Sequence, residues 1–224
     1  MSAKKTVKNT KKKPGANVPT WVIVVVPMLI VALLIFSAVY DPKPKPAVVD
    51  QPTVFTPTHV ADIAIREMGV IRVELDGNAA PETVKNFVTL AESGFYDNLT
   101  FHRIIDGFMM QGGDPKGNGF GGSGTSIKGE FVNNGVPNTL SHTRGAISMA
   151  RSQEYDSASS QFFIVHQDAC DDLDGDYAVF GYVSEGMEIV DEICANAKPM
   201  DKNGLIAVEN RPRIETITIS EYKE

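Results

Sequence analysis

The sequence predicts a mainly β domain, an antiparallel sheet closed on itself with helices over its ends, carried behind an apolar N-terminal segment. Three observations predict it: many short apolar or alternating runs set apart by turn residues, only two stretches with helical periodicity, and no internal repeat. With 224 residues, 42% of them apolar, the chain has room for one domain of typical size plus appendages.

All charges in residues 1–40 are lysines: Lys4, Lys5, Lys8, Lys11, Lys12 and Lys13. Residues 1–20 therefore read as a basic cytoplasmic tail. Residues 21–40 are twenty positions without a charge, enough helix to cross about 30 Å of hydrocarbon at about 1.5 Å per residue. They read as one transmembrane helix with the lysines inside and the C-terminal domain outside the cytoplasmic membrane. The alternative is a secreted protein released by signal cleavage; the run exceeds the usual h-region of about 7–15 residues, and no clear Ala-x-Ala site follows it. Residues 41–57 contain Pro42, Pro44, Pro46, Pro52 and Pro57, a spacing that favours extended backbone, so they read as a linker.

The domain is expected over residues 58–224. An apolar run at 60–65 and the alternation Ile71, Arg72, Val73, Glu74, Leu75, with Gly69 for the turn, predict a hairpin. Pro81 opens a helix in which Val84, Phe87, Val88 and Ala91 share one face, and Gly94 stops it. Short strands follow at 145–150, 161–165, 178–183 and 214–220. A second helix over 185–197 would bury Met187, Val190, Ile193 or Cys194, and Ala197. Removing the six tail lysines leaves 15 basic against 28 acidic residues, or −13, for residues 41–224. Such a body argues against nucleic-acid binding, which needs a basic face for the phosphates.

The run Phe101-His102-Arg103-Ile104-Ile105-Asp106-Gly107-Phe108-Met109-Met110-Gln111-Gly112-Gly113-Asp114 holds one Arg, one Gln and several large apolar groups. These are parts for gripping an apolar ring beside an amide. This run, with Ser159-Ser160-Gln161-Phe162-Phe163-Ile164, resembles the signature of the cyclophilins, the peptidyl-prolyl cis-trans isomerases. The resemblance covers about residues 58–222 and implies a closed eight-stranded antiparallel β-barrel capped by two α-helices. The segment 149–163 looks more like bacterial members.

The X-Pro bond rotates slowly because resonance stiffens it, with a barrier of roughly 18–20 kcal/mol. In the twisted state the prolyl nitrogen regains a lone pair, so a fixed donor aimed at it binds that state better than the planar one. Arg103 is the natural donor, always charged and planar. By the resemblance, Gln111 and Phe108 complete the catalytic group. Met109, Phe163, Leu173 and Tyr177 match pocket-lining positions, and Ala150 and Arg151 fall where the family holds the residue before proline through backbone groups. Taken alone, Phe108, Met109 and Phe163 would read as barrel core and Arg103 as a surface or ion-paired group.

The expected activity is isomerisation of X-Pro bonds in proteins folding outside the membrane, with proline-containing polypeptides as partners. A non-catalytic binding or chaperone module for extended proline-containing segments is the alternative. Asp172 stands where animal members usually place a Trp, so weak or no cyclosporin binding is expected; Tyr177 stands where many carry His. No cofactor and no metal are expected. Glycine-rich residues 117–124 lack the Lys-Ser/Thr pair of a phosphate loop and read as a flexible groove rim. The acidic run 168–176 lacks the last Glu of a calcium loop and reads as solvated. Cys170 and Cys194 have no metal-ligand spacing, and His59, His102, His142 and His166 are scattered.

Overall fold

A computed structural model describes residues 44, 46–47 and 52–223. The tail and the apolar run 21–40 lie outside these. Among the described residues no helix is long and apolar enough to cross a membrane.

The expected hairpin forms from β1 (His59–Ile65) and β2 (Gly69–Leu75), paired antiparallel from His59–Leu75 to Ile65–Gly69. Helix α1 (Pro81–Glu92) follows, burying Val84, Phe87 and Ala91 as its periodicity predicts. Its N-cap, Ala80, has only a methyl group and makes no side-chain capping hydrogen bond. Glu130 does that work from a distance, its two oxygens accepting the Glu82 and Thr83 N–H groups at 3.0 and 2.8 Å. A carboxylate suits the positive end of a helix.

Two strands that the sequence reading left inside a motif come next, β3 (Arg103–Ile105) and β4 (Met109–Gly112). Then follow β5 (Ala146–Met149), β6 (Phe162–Val165), the short α2 (Cys170–Leu173), β7 (Val179–Glu185), α3 (Met187–Asn196) and β8 (Ile214–Glu221). Helix α3 starts two residues later than expected and buries Ile189 rather than Met187. Gly186 sets the boundary: its φ is +88°, and a Cβ there would lie 2.5 Å from the Val70 carbonyl oxygen.

The eight antiparallel strands lie in the order β3-β4-β6-β5-β7-β2-β1-β8. Closure is less complete than the expected barrel, because no ladder joins β3 to β8. An isolated bridge, Thr100–Arg213, and hydrogen bonds such as Phe101 N–H to the Pro212 carbonyl (3.0 Å) join the chain just ahead of the two strands. Pro212 has no N–H to return, and β3 is only three residues long, so the ladder stops there.

Apolar groups fill both faces of the sheet. On one, Ile104, Met110, Ile147, Met149, Phe162, Ile164 and Phe180 join α1 and α3 in the larger core. On the other, Met109, Ala146, Phe163, Val165, Leu173 and Val179 form a smaller cluster. The period-two alternation of strands divides neighbours in this way, so Phe162 and Phe163 serve different cores.

The end of the expected linker is bonded to the domain. Thr53 N–H donates to Thr139 Oγ1 (2.6 Å), Thr53 Oγ1 donates to the Pro137 carbonyl (2.8 Å), and Phe55 meets Tyr182 edge-on at 5.0 Å. The compact unit extends back to Pro44.

Candidate active site

One hairpin supplies four of the nine expected site residues. In β3–β4, Arg103 pairs with Gln111 and Ile105 with Met109, while Ile104 and Met110 turn to the larger core. The turn at 106–108 closes with Phe108 N–H on the Ile105 carbonyl (3.0 Å), and Gly107 takes φ +77°. Across the sheet Gln111 pairs with Phe163, which brings that ring beside it. Ala150 and Arg151 follow β5, Leu173 ends α2, and Tyr177 N–H returns to the Leu173 carbonyl at 3.2 Å. Arg103, Phe108, Met109, Gln111, Ala150, Arg151, Phe163, Leu173 and Tyr177 together line one cavity of about 200 Å³.

The Arg103 guanidinium is gripped at two nitrogens. Nε donates to the Asn203 carbonyl at 2.8 Å, and Nη1 donates to Gln111 Oε1 at 3.1 Å, with Met109 Sδ 3.8 Å away. Gln111 Nε2 then donates to Gln161 Oε1 (2.9 Å), and Gln161 Nε2 to the Gly119 and Gly121 carbonyls (3.1 and 2.8 Å). Arginine can only donate and a carbonyl can only accept, so one orientation of both amides satisfies the chain. Burial draws the Arg103 pKa below the usual arginine value, Tyr177 and Asp201 acting the other way. The side chain stays cationic, as arginines do.

The cavity wall is buttressed from behind. Phe163 lies nearly parallel to the His142 ring, centroids 6.0 Å apart, and meets Tyr177 edge-on at 6.1 Å. His142 is buried between Asp174 (Nδ1 to Oδ1, 2.7 Å) and Ser148 (Nε2 to Oγ, 3.0 Å). Burial lowers the His142 pKa against the pull of Asp174. Arg151 lies over the rings of Tyr177 (4.6 Å), Phe131 and Tyr155 (both 5.1 Å), while its Nε donates to the Asp176 carbonyl at 2.8 Å. Its side chain is thus spent on holding the wall. In the acidic run, Asp174 serves Ser141 and His142, and Asp176 accepts from Asn133. Among the described residues no cluster could hold a metal ion.

A second cavity of about 420 Å³ adjoins the first through Gln111, Ala150 and Arg151, with the 87% exposed Phe120 on its edge. Its glycine-rich rim is pinned, not loose: the buried Asp114 carboxylate accepts the N–H groups of Lys116, Asn118 and Gly119 at 2.8, 2.8 and 2.6 Å. Burial raises the Asp114 pKa, yet these amides together hold it below the ordinary value.

Sequence reading missed Gln161, His142 and Asn203. Gln161 stands two residues before Phe163 and so shares its face, a signal that was available. Asn203 acts through its backbone carbonyl, a hundred residues from Arg103, and no side-chain pattern announces that.

Fold and site together define a protein with an apolar cavity next to an anchored cation. Cyclophilin-type peptidyl-prolyl cis-trans isomerase/CLD is the description of the family whose model matches residues 60–224, and the chain belongs to this family of isomerases. It is 52% identical to peptidyl-prolyl cis-trans isomerase B of Bacillus subtilis over 118 residues, which is 53% of this chain and 78% of that one. Against a peptidyl-prolyl cis-trans isomerase of Helicobacter pylori it is 48% identical over 127 residues, 56% of this chain and 74% of the other. Among solved structures, a Cryptosporidium parvum cyclophilin-type isomerase crystallised in the presence of the dipeptide Ala-Pro is similar. Its TM-score is 0.62 at 33% identity, covering 72% of this chain and 98% of that chain.

Proposed function

We propose that this isomerase seats the substrate proline in the 200 Å³ cavity and lowers the rotation barrier by donation from Arg103 to the prolyl nitrogen. The observation that carries the mechanism is the double anchorage of Arg103 by Asn203 and Gln111. With Nε and Nη1 engaged, Nη2 makes no hydrogen bond among the described residues and is the donor left for substrate. A planar prolyl nitrogen has its lone pair in the amide resonance and accepts poorly; the twisted one accepts well, so the interaction strengthens on the way to the transition state. Phe108, Met109, Phe163 and Leu173 keep water from the carbonyl, which would otherwise stabilise the planar form. The solved relative's Ala-Pro dipeptide supports a proline-containing ligand for this cavity. Ala150 and Arg151 border both cavities, a path along which an extended chain can lie.

The full chain, kept soluble with detergent, is expected both to bind a short Ala-Pro peptide and to accelerate its isomerisation in a protease-coupled assay. Binding without acceleration would replace the enzyme by a docking module.

The apolar run 21–40 and the lysines before it support a single-pass anchor that holds the domain outside the cytoplasmic membrane, where slow prolyl steps limit the folding of exported chains. Protease added to intact cells should then digest the domain and spare the lysine tail. A protected domain would reverse this orientation.

A further inference from the structure

The turn that carries Phe108 is held from outside the cavity by a residue with no part in the chemistry above. His166 directly follows β6, and its side chain is 8% exposed. Its backbone N–H donates to the Phe108 carbonyl at 2.8 Å, and its ring Nδ1 accepts the Gly107 N–H at 3.0 Å. A backbone N–H can only donate, so Nδ1 must carry the lone pair and the ring proton must sit on Nε2. Nε2 lies 3.2 Å from Asp191 Oδ1 on α3. Asp191 is itself fixed by both terminal nitrogens of Arg144 (2.7 and 2.8 Å), and Arg144 Nη1 also donates to the His166 carbonyl at 2.8 Å. The Asp106 carboxylate comes within 3.4 Å of Nδ1, but two acceptors face each other there, so it is a neighbour and not a partner. Nearby Cys194 adds no charge, because burial, with help from Asp106 and Asp191, pushes its thiol up to about 12.

We infer that His166 is a positioning residue for the isomerase: through Gly107 it sets the turn that presents Phe108 to the proline cavity. The inference rests on the catalytic reading of that cavity. The ring connects a helix anchored by an ion pair to the one peptide group whose left-handed conformation aims Phe108. Two tethers on consecutive residues, at Gly107 N–H and the Phe108 carbonyl, leave the turn little freedom. Asp191 and Arg144 act one step further out by holding the imidazole in the tautomer that can accept.

Three variants of the full chain separate this role from mere packing. Asn at 166 can place an oxygen where Nδ1 stands; Gln reaches toward the Nε2 position and loses the acceptor near Gly107; Phe keeps the ring and neither nitrogen. For a proline peptide, kcat/KM is expected to fall about 10-fold in His166→Phe and His166→Gln, as misplacement of a site group does. In His166→Asn it should stay within about twofold of wild type, since the tether is kept. The Gly107 amide, followed by nitrogen-15 NMR, should be protected from exchange in wild type and His166→Asn and exposed in the other two, with the Phe108 ring signals moving in step. Equal kcat/KM for all four proteins would overturn the inference, and so would an Asn variant as slow as Phe or an unmoved Gly107 amide. A wild type without turnover would refute the catalytic reading itself, and with it the positioning role in catalysis; the Gly107 signal would still report whether the tether exists.

Discussion

Arg103→Ala is expected to lower kcat/KM by about 10²–10³-fold, the cost of removing one preorganised donor from a transition-state site. On the proposed mechanism the loss should fall mainly on kcat, because the apolar lining proposed to seat proline is unchanged and the missing bond is made only as the amide twists. Arg103→Lys is expected to restore little of it. A lysine is a point charge on a flexible stem and cannot hold the Asn203 carbonyl and Gln111 together while keeping a further nitrogen for substrate. Stability should change little, since the partly exposed side chain lies outside both apolar clusters. The check is a protease-coupled assay beside a thermal melt. Wild-type turnover by the alanine variant would end the proposed mechanism.

Phe87→Ala should do the opposite. Phe87 is fully buried, with ring centroids 5.2 Å from Tyr96, 5.3 Å from Phe180 and 5.4 Å from Phe162, so one side chain of α1 ties together three others inside the sheet. Truncating a buried Phe costs about 3–5 kcal/mol through lost transfer energy and the cavity left behind. For a domain of this size that corresponds to a fall in Tm of roughly 10 °C. The proline cavity is built on the opposite face of the sheet, from Met109 and Phe163 rather than Met110 and Phe162. Per folded molecule, kcat/KM should therefore match wild type well below the transition. A small shift in Tm, or a variant that melts normally and has lost turnover, would contradict this division of the molecule into two cores.

The legible part of this protein was its periodic part. The hairpin of β1 and β2, helix α1 and the later strands follow from alternation, helical spacing, Pro81 and the glycines, because those signals are local. Strands β3 and β4, three and four residues long, were legible as well, since Asp106-Gly107 between two apolar runs is a hairpin signal, but that run was read for its chemistry alone. All nine site residues meet in one cavity, yet motif resemblance carried that choice. Periodicity would have assigned Met109 and Phe163 to an undivided core.

Local sequence determined which segments extend, which coil, and which residue types could grip a proline, since each of these depends on side chains a few positions apart. Only the tertiary structure decided which partners hold the grip in place. Asn203 steadies Arg103, Glu130 caps α1, and Asp114 pins the glycine-rich rim, each through backbone groups or across long separations. A hydrogen bond to a main-chain carbonyl or amide depends on where folding brings that group, and every residue type carries one, so no letter of the sequence marks it.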